Sequence, residues 1–110
     1  MDRPIGTNEA LILTVLHPLT ALSVADVAFR IESENVGRTV DDGSIYLALH
    51  RMSQRGLVSV AKRSVISADG RPRDVGYYMI TDAGENAVSR YVAESRAVIR
   101  LRDFKGVANA

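Results

Sequence analysis

Apolar residues recur along this chain in two rhythms. Four stretches carry the 3-4 spacing of a helix face, and two short runs, near Leu57 and near Tyr77, alternate as strands do. The first helical stretch, Glu9 to Leu16, is apolar almost all round: Ala10, Leu11, Ile12, Leu13, Val15 and Leu16. Thr7 or Asn8 is its expected cap, and His17-Pro18 ends it, because the residue before proline is pushed out of the helical region. A helix this apolar needs cover on more than one side, so a second copy of the chain is expected against part of it, with Leu11 and Ile12 in the contact. Ser23 caps the second helix with Asp26 three residues on, in capping-box spacing. Val24, Val27, Ala28 and Ile31 form its apolar face, Phe29 lies at the edge, and Gly37 is the expected left-handed stop.

The third helix spans 42–55. Ile45, Leu49 and Met52 point inward, with Ala48 allowing close approach. Its other side carries Ser44, Leu47 and Arg51, flanked by Tyr46, His50 and Arg55. A helix of this width fits the major groove of DNA, and these side chains offer hydrogen bonds to base edges and phosphates. Asp41 and Asp42 stand at the helix start, where capping and the helix dipole favour carboxylates. After Gly56 the chain passes into a strand at Leu57–Val60, and a second strand follows at Gly76–Ile80, with Asp69-Gly70 as the turn signal between them. Lys62, Arg63, Arg71 and Arg73 lie on the two arms of this hairpin, placed to reach phosphates beside the reading helix.

Thr81-Asp82 opens the last helix, expected over about Ala83 to Arg102, with Phe104–Ala110 as a frayed tail. Val88, Tyr91, Val92, Ser95, Val98 and Ile99 make one stripe along several turns. That is more helix than a small three-helix core can cover, so its outer half is expected to pair with a second protomer. Arg96, Arg100, Arg102 and Lys105 suit a helix C-terminus. The predicted fold is mostly α with a small two-stranded β-wing: a winged helix-turn-helix with a long C-terminal dimerisation helix. Residues 1–81 form the DNA-binding part and 82–110 the dimerisation helix and tail, as one structural unit.

Composition narrows the function. The 110 residues suit one domain. The net charge of +1 is uninformative, but its distribution is not. Residues 1–37 hold Arg3 and Arg30 against five acids, whereas residues 38–74 hold seven cations, Arg38 to Arg73, against four acids. The positive surplus thus falls on the reading helix and the hairpin. There is no cysteine and no run of roughly 18 apolar residues, so the expected setting is the cytoplasm, without membrane contact. His17 and His50 are far apart, neither stands in a metal-ligand spacing, and no glycine-rich phosphate loop exists. An enzyme is not expected, nor a metal or cofactor.

The motifs Gly43-Ser44-Ile45-Tyr46-Leu47-Ala48-Leu49-His50-Arg51-Met52, Gly56-Leu57-Val58, Gly70-Arg71-Pro72-Arg73 and Tyr77-Tyr78-Met79-Ile80-Thr81-Asp82-Ala83-Gly84, in this order, resemble those of the PadR family of bacterial transcription regulators. The likeness covers about residues 9–102. It implies a homodimeric repressor whose C-terminal helix crosses the partner's first helix, and double-stranded DNA with a palindromic operator as the target. It also implies reading contacts from Ser44, Tyr46, His50 and Arg51 and wing contacts from Arg71 and Arg73. Short members of the family hold flat aromatic effectors at the dimer interface; here Tyr91 is the side chain placed to stack. The chain departs from the family at Leu22–Ala25, where a Gly-Tyr motif is usual, in a slightly longer wing, and at Val75-Gly76, where a basic residue usually precedes the tyrosine pair. The alternative function is a winged helix used for protein interaction, favoured by the near-neutral charge and by Asp41-Asp42.

Overall fold

The computed structural model describes residues 4–34 and 41–108, with side chains to Leu101. The expected helix stop at Gly37, and Arg38 after it, lie outside the described residues. The elements run α1 (Thr7–Val15), α2 (Val24–Glu34), α3 (Asp42–Gln54), β1 (Val58–Ile66), β2 (Pro72–Ile80) and α4 (Asp82–Ala108).

Helix α1 begins earlier than its apolar pattern does. Its cap is Gly6 rather than Thr7 or Asn8, and the Glu9 carboxylate accepts the Gly6 N–H at 3.0 Å. Thr7 is thereby left to meet the Tyr91 hydroxyl at 2.9 Å, which ties α1 to α4. At its other end Leu16 is extended, two residues ahead of Pro18, as expected. The α2 capping box forms as predicted: the Asp26 carboxylate accepts the Ser23 N–H at 3.1 Å, and the Ser23 hydroxyl accepts the Asp26 N–H at 3.2 Å. The shorter acid suffices. Helix α3 starts on Asp41, whose carboxylate accepts both the N–H and the hydroxyl of Ser44, at 3.1 and 3.2 Å. Removing it in Asp41→Ala is expected to cost about 1 kcal/mol of stability, read as a lower midpoint in urea unfolding.

The three helices close on one apolar core. Leu13 of α1, Val27 of α2, and Ile45, Leu49 and Met52 of α3 are its fully buried members. Leu57, Val58, Tyr78 and Ile80 from the base of the hairpin complete it. Phe29, expected at the edge of the α2 face, is 70% exposed and contributes nothing to the core.

Both hairpin strands are nine residues long, roughly twice the predicted length. Apolar alternation is confined to their inner ends, so the continuation reads as loop in the sequence, while backbone pairing carries it on from Val58↔Ile80 to Ile66↔Pro72. A further pairing escapes the pattern. Leu22 and Tyr78 exchange both backbone hydrogen bonds, at 2.9 and 2.8 Å, so the connection after α1 adds one residue to the sheet.

The junction between the helical body and α4 is closely packed and hydrogen-bonded. Thr81 N–H donates to the Leu57 carbonyl at 3.1 Å, and the Thr81 hydroxyl donates to the Gly56 carbonyl at 2.6 Å while accepting the Gly84 N–H at 3.1 Å. Gly56 takes φ +76°, the left-handed value that turns the chain out of α3. Gly84 lies directly on this turn: a Cβ there would stand 2.2 Å from the Leu57 carbonyl oxygen and 2.8 Å from a side-chain carbon of Ile80. Helix α4 then runs to Ala108, through the segment expected to fray. Ala87, Val88 and Tyr91 pack on the core, but beyond them Val92, Val98, Ile99 and Leu101 are exposed. The helix stands away from the body, and the chain spans 65 Å in its longest direction.

Candidate nucleic-acid interface

Burying Ile45, Leu49 and Met52 leaves α3 with three outward aspects. Leu47, His50 and Arg51 form the exposed ridge. On the flank towards α1, Ser44, Ala48 and Arg51 line a groove of about 760 Å³ together with Thr7, Asn8 and Leu11. On the flank towards the wing, the rings of Tyr46 and His50 stack with centroids 6.3 Å apart and planes 12° from parallel. Tyr46 and Leu47 are about half exposed, an unusual state for large side chains that a core could have taken.

Tyr78 belongs beside this flank and was not among the predicted site residues. Its ring is buried and its hydroxyl lies over Gly76, where an added Cβ would approach it to 3.1 Å. Burial pushes the Tyr78 phenol above its ordinary pKa, and the neighbouring Tyr46 phenol adds to the effect. The strand alternation of the Tyr-Tyr pair already puts Tyr77 and Tyr78 on opposite faces, and that was the available signal.

The wing's register sorts its cations. Val58/Ile80 and Val60/Tyr78 face the body, and along the same side follow Lys62/Gly76, Ser64/Asp74 and Ile66/Pro72. Arg63/Val75 and Val65/Arg73 lie on the other side. Lys62 stands directly across from Gly76. At Gly76 an added side chain would crowd the Tyr78 hydroxyl, and Lys62 is the cation that the register places opposite it. Arg63 lies 5.5 Å from the centroid of the Tyr77 ring, held by a cation–π contact. Arg71 sits at the tip, 4.0 Å from Asp69 and largely exposed.

Arg55, expected among the DNA contacts, faces elsewhere. It caps the C-terminal end of α3 on the α1 side, pairs with Glu9 at 3.6 Å, and lines a small cleft with Asn86, Arg90 and Glu94 of α4. Arg55 is the C-cap residue, past the last turn of α3, and its pair with Glu9 holds the side chain against α1. Of the residues expected at a dimer contact, Ile12 is 4% exposed and belongs to the protomer's own core, and Leu11, Val88, Tyr91 and Ser95 are half-buried. The side chains of Arg102 and Lys105 lie outside the described residues. Among the described residues no cluster of histidines and carboxylates could hold a metal ion, and no helix is long and apolar enough to cross a membrane.

A trihelical body with α3 presented to solvent, a two-stranded hairpin beside it and a helix leaving from the hairpin's base define a winged helix-turn-helix protein. The chain belongs to the PadR-like family of transcriptional regulators, whose profile matches residues 12–90. A PadR-like transcription factor from Bacteroides fragilis is 23% identical and superposes with a TM-score of 0.69, over 89% of this chain and 88% of that one. A PadR family regulator from Clostridium difficile is 21% identical, with a TM-score of 0.69, over 89% and 96%. Bacillus subtilis PadR, solved in complex with operator DNA, is 20% identical with a TM-score of 0.63, over 79% of this chain and 47% of that one. A search of curated protein sequences returns no match.

Proposed function

We propose that two copies of this chain bind a palindromic operator and repress transcription, each α3 entering one of two successive major grooves. The observation that carries this reading is the division of α3. One face is locked in the core at 0–1% exposure by Ile45, Leu49 and Met52, and the other presents Tyr46, Leu47, His50 and Arg51 on a helix that cannot rotate. A helix held so firmly, with ring, imidazole and guanidinium outward, is pre-organised for base edges. Bacillus subtilis PadR, of the same fold, has been solved on operator DNA. The exposed stripe Val92, Val98 and Ile99 on α4 supports pairing with a second protomer, with Leu11 of α1 in the same contact. Tyr91 gives little support to an aromatic effector, since its ring packs on the core and its hydroxyl is bonded to Thr7. The case for a protein partner weakens too, because the Asp41 carboxylate is consumed in capping α3.

The test is salt dependence on a duplex selected from a random pool. Lys62, Arg63, Arg71 and Arg73 give four wing cations per protomer, eight in a dimer, and contacts of that number lose on the order of 10³–10⁵ in affinity between 50 and 200 mM salt. A protein that retains no duplex at the lower salt is not a DNA-binding regulator.

A further inference from the structure

The outermost pair of the wing is apolar. Ile66, 71% exposed, faces Pro72 across the last rung of the hairpin, and Pro72 is exposed as well. We infer that this pair enters the minor groove beside each half-site and makes the wing select A·T over G·C pairs there, a role that rests on the DNA-binding reading above. Three features point to this occupant.

Charge is the first. Residues 58–80 hold four cations against two carboxylates, and one of those, Asp69, turns back into the loop to accept from the Ser67 hydroxyl and the Arg71 N–H. Those two hydrogen bonds hold its carboxyl below the ordinary carboxylate range, and the Arg71 guanidinium lies 4.0 Å away. An exposed apolar tip with Arg71 in the turn beside it, and Lys62 on its own side of the hairpin against Asp74, suits a groove with phosphate rims and a floor of base edges better than it suits an apolar protein surface.

Stiffness is the second. The five-residue tip is closed by Ser67 N–H to the Arg71 carbonyl at 2.9 Å and Gly70 N–H to the Ser67 carbonyl at 2.9 Å, with the Asp69 carboxylate bridging the Ser67 hydroxyl and the Arg71 N–H and Gly70 at φ +81°. A tip fixed in this way holds Ile66 outward and loses little freedom on insertion.

Reach is the third. From Val58, at the edge of the core, to Ile66 is eight steps of extended chain, roughly 26 Å, enough to pass from a helix in the major groove to the adjoining minor groove. In the minor groove the discriminating group is the N2 amino of guanine, which projects into the space an inserted side chain would fill.

The experiment uses the full chain and the duplex recovered from a random pool, with the pairs outside each half-site made A·T, G·C or inosine·C. Inosine·C presents the major-groove face of G·C and the minor-groove face of A·T. Wild type should bind the A·T and inosine·C duplexes alike, within about twofold, and the G·C duplex about tenfold or more weakly. Ile66→Thr keeps a β-branched side chain at an exposed position and should level the three affinities while leaving the unfolding midpoint in place. Pro72→Ser should do the same if Ile66→Thr disturbs the hairpin. Equal wild-type affinity for G·C and inosine·C overturns the inference, as does discrimination that survives in both variants, and in either case DNA binding itself still stands. Loss of all duplex binding by wild type removes both readings together.

Discussion

Gly84→Ala is expected to destabilise the protein by roughly 3 kcal/mol, at the upper end for overpacking. The Cβ would sit 2.2 Å from the Leu57 carbonyl oxygen, about 1 Å inside any tolerable contact, and the neighbour is backbone that cannot turn aside. That same carbonyl accepts the Thr81 N–H, so moving it away also loosens the start of α4. For a domain near this size, 3 kcal/mol lowers the melting midpoint by about 12–20 °C. Calorimetry reads this directly. A midpoint within 3 °C of wild type would mean that α4 does not rest on the Gly56–Leu57 turn as described.

The second large effect is on DNA. His50→Ala combined with Arg51→Ala removes two groups from the exposed ridge of α3 in each protomer, four per dimer. At about 1–3 kcal/mol for each lost base contact, affinity for a selected duplex should fall by at least about 100-fold. Both side chains are exposed and outside the core, so the unfolding midpoint should stay within a few degrees. Arg55→Ala is the matched control. It breaks the pair with Glu9 and should change stability modestly, with operator affinity nearly untouched. If instead the double variant binds as wild type does and Arg55→Ala does not, the assignment of faces on α3 is reversed.

The course of the chain was legible wherever one face of an element had to be buried. Ile45, Leu49 and Met52 predicted α3 and its inward side because a 3.6-residue period leaves no alternative. Ser23 and Asp26 predicted their own hydrogen bonds, since capping is local chemistry. What stayed hidden was long-range or carried by backbone. The outer half of the wing has no apolar alternation, so nothing in Ala61–Val65 announces a strand; cross-strand pairing alone extends it. The Leu22–Tyr78 bridge joins residues 56 apart and leaves no mark in either neighbourhood. In the candidate site, the ridge on α3 follows from the helical period, yet the removal of Arg55 depended on Glu9, nearly fifty residues away. Lys62 could be matched to Gly76 only once the register was known.

The clamp at Gly56, Leu57, Thr81 and Gly84 makes α4 a lever. Twenty-seven helical residues extend about 40 Å, and the near end is fastened within two residues of α3. With such a fulcrum, a tilt of about 5° between α4 and the body displaces the far end by roughly 3.5 Å. If two copies pair through their α4 arms as proposed, a shift of a few ångströms at the crossing would re-aim each α3 by several degrees. A dimer built on these arms would therefore set its operator spacing at the crossing point, far from every residue that touches a base.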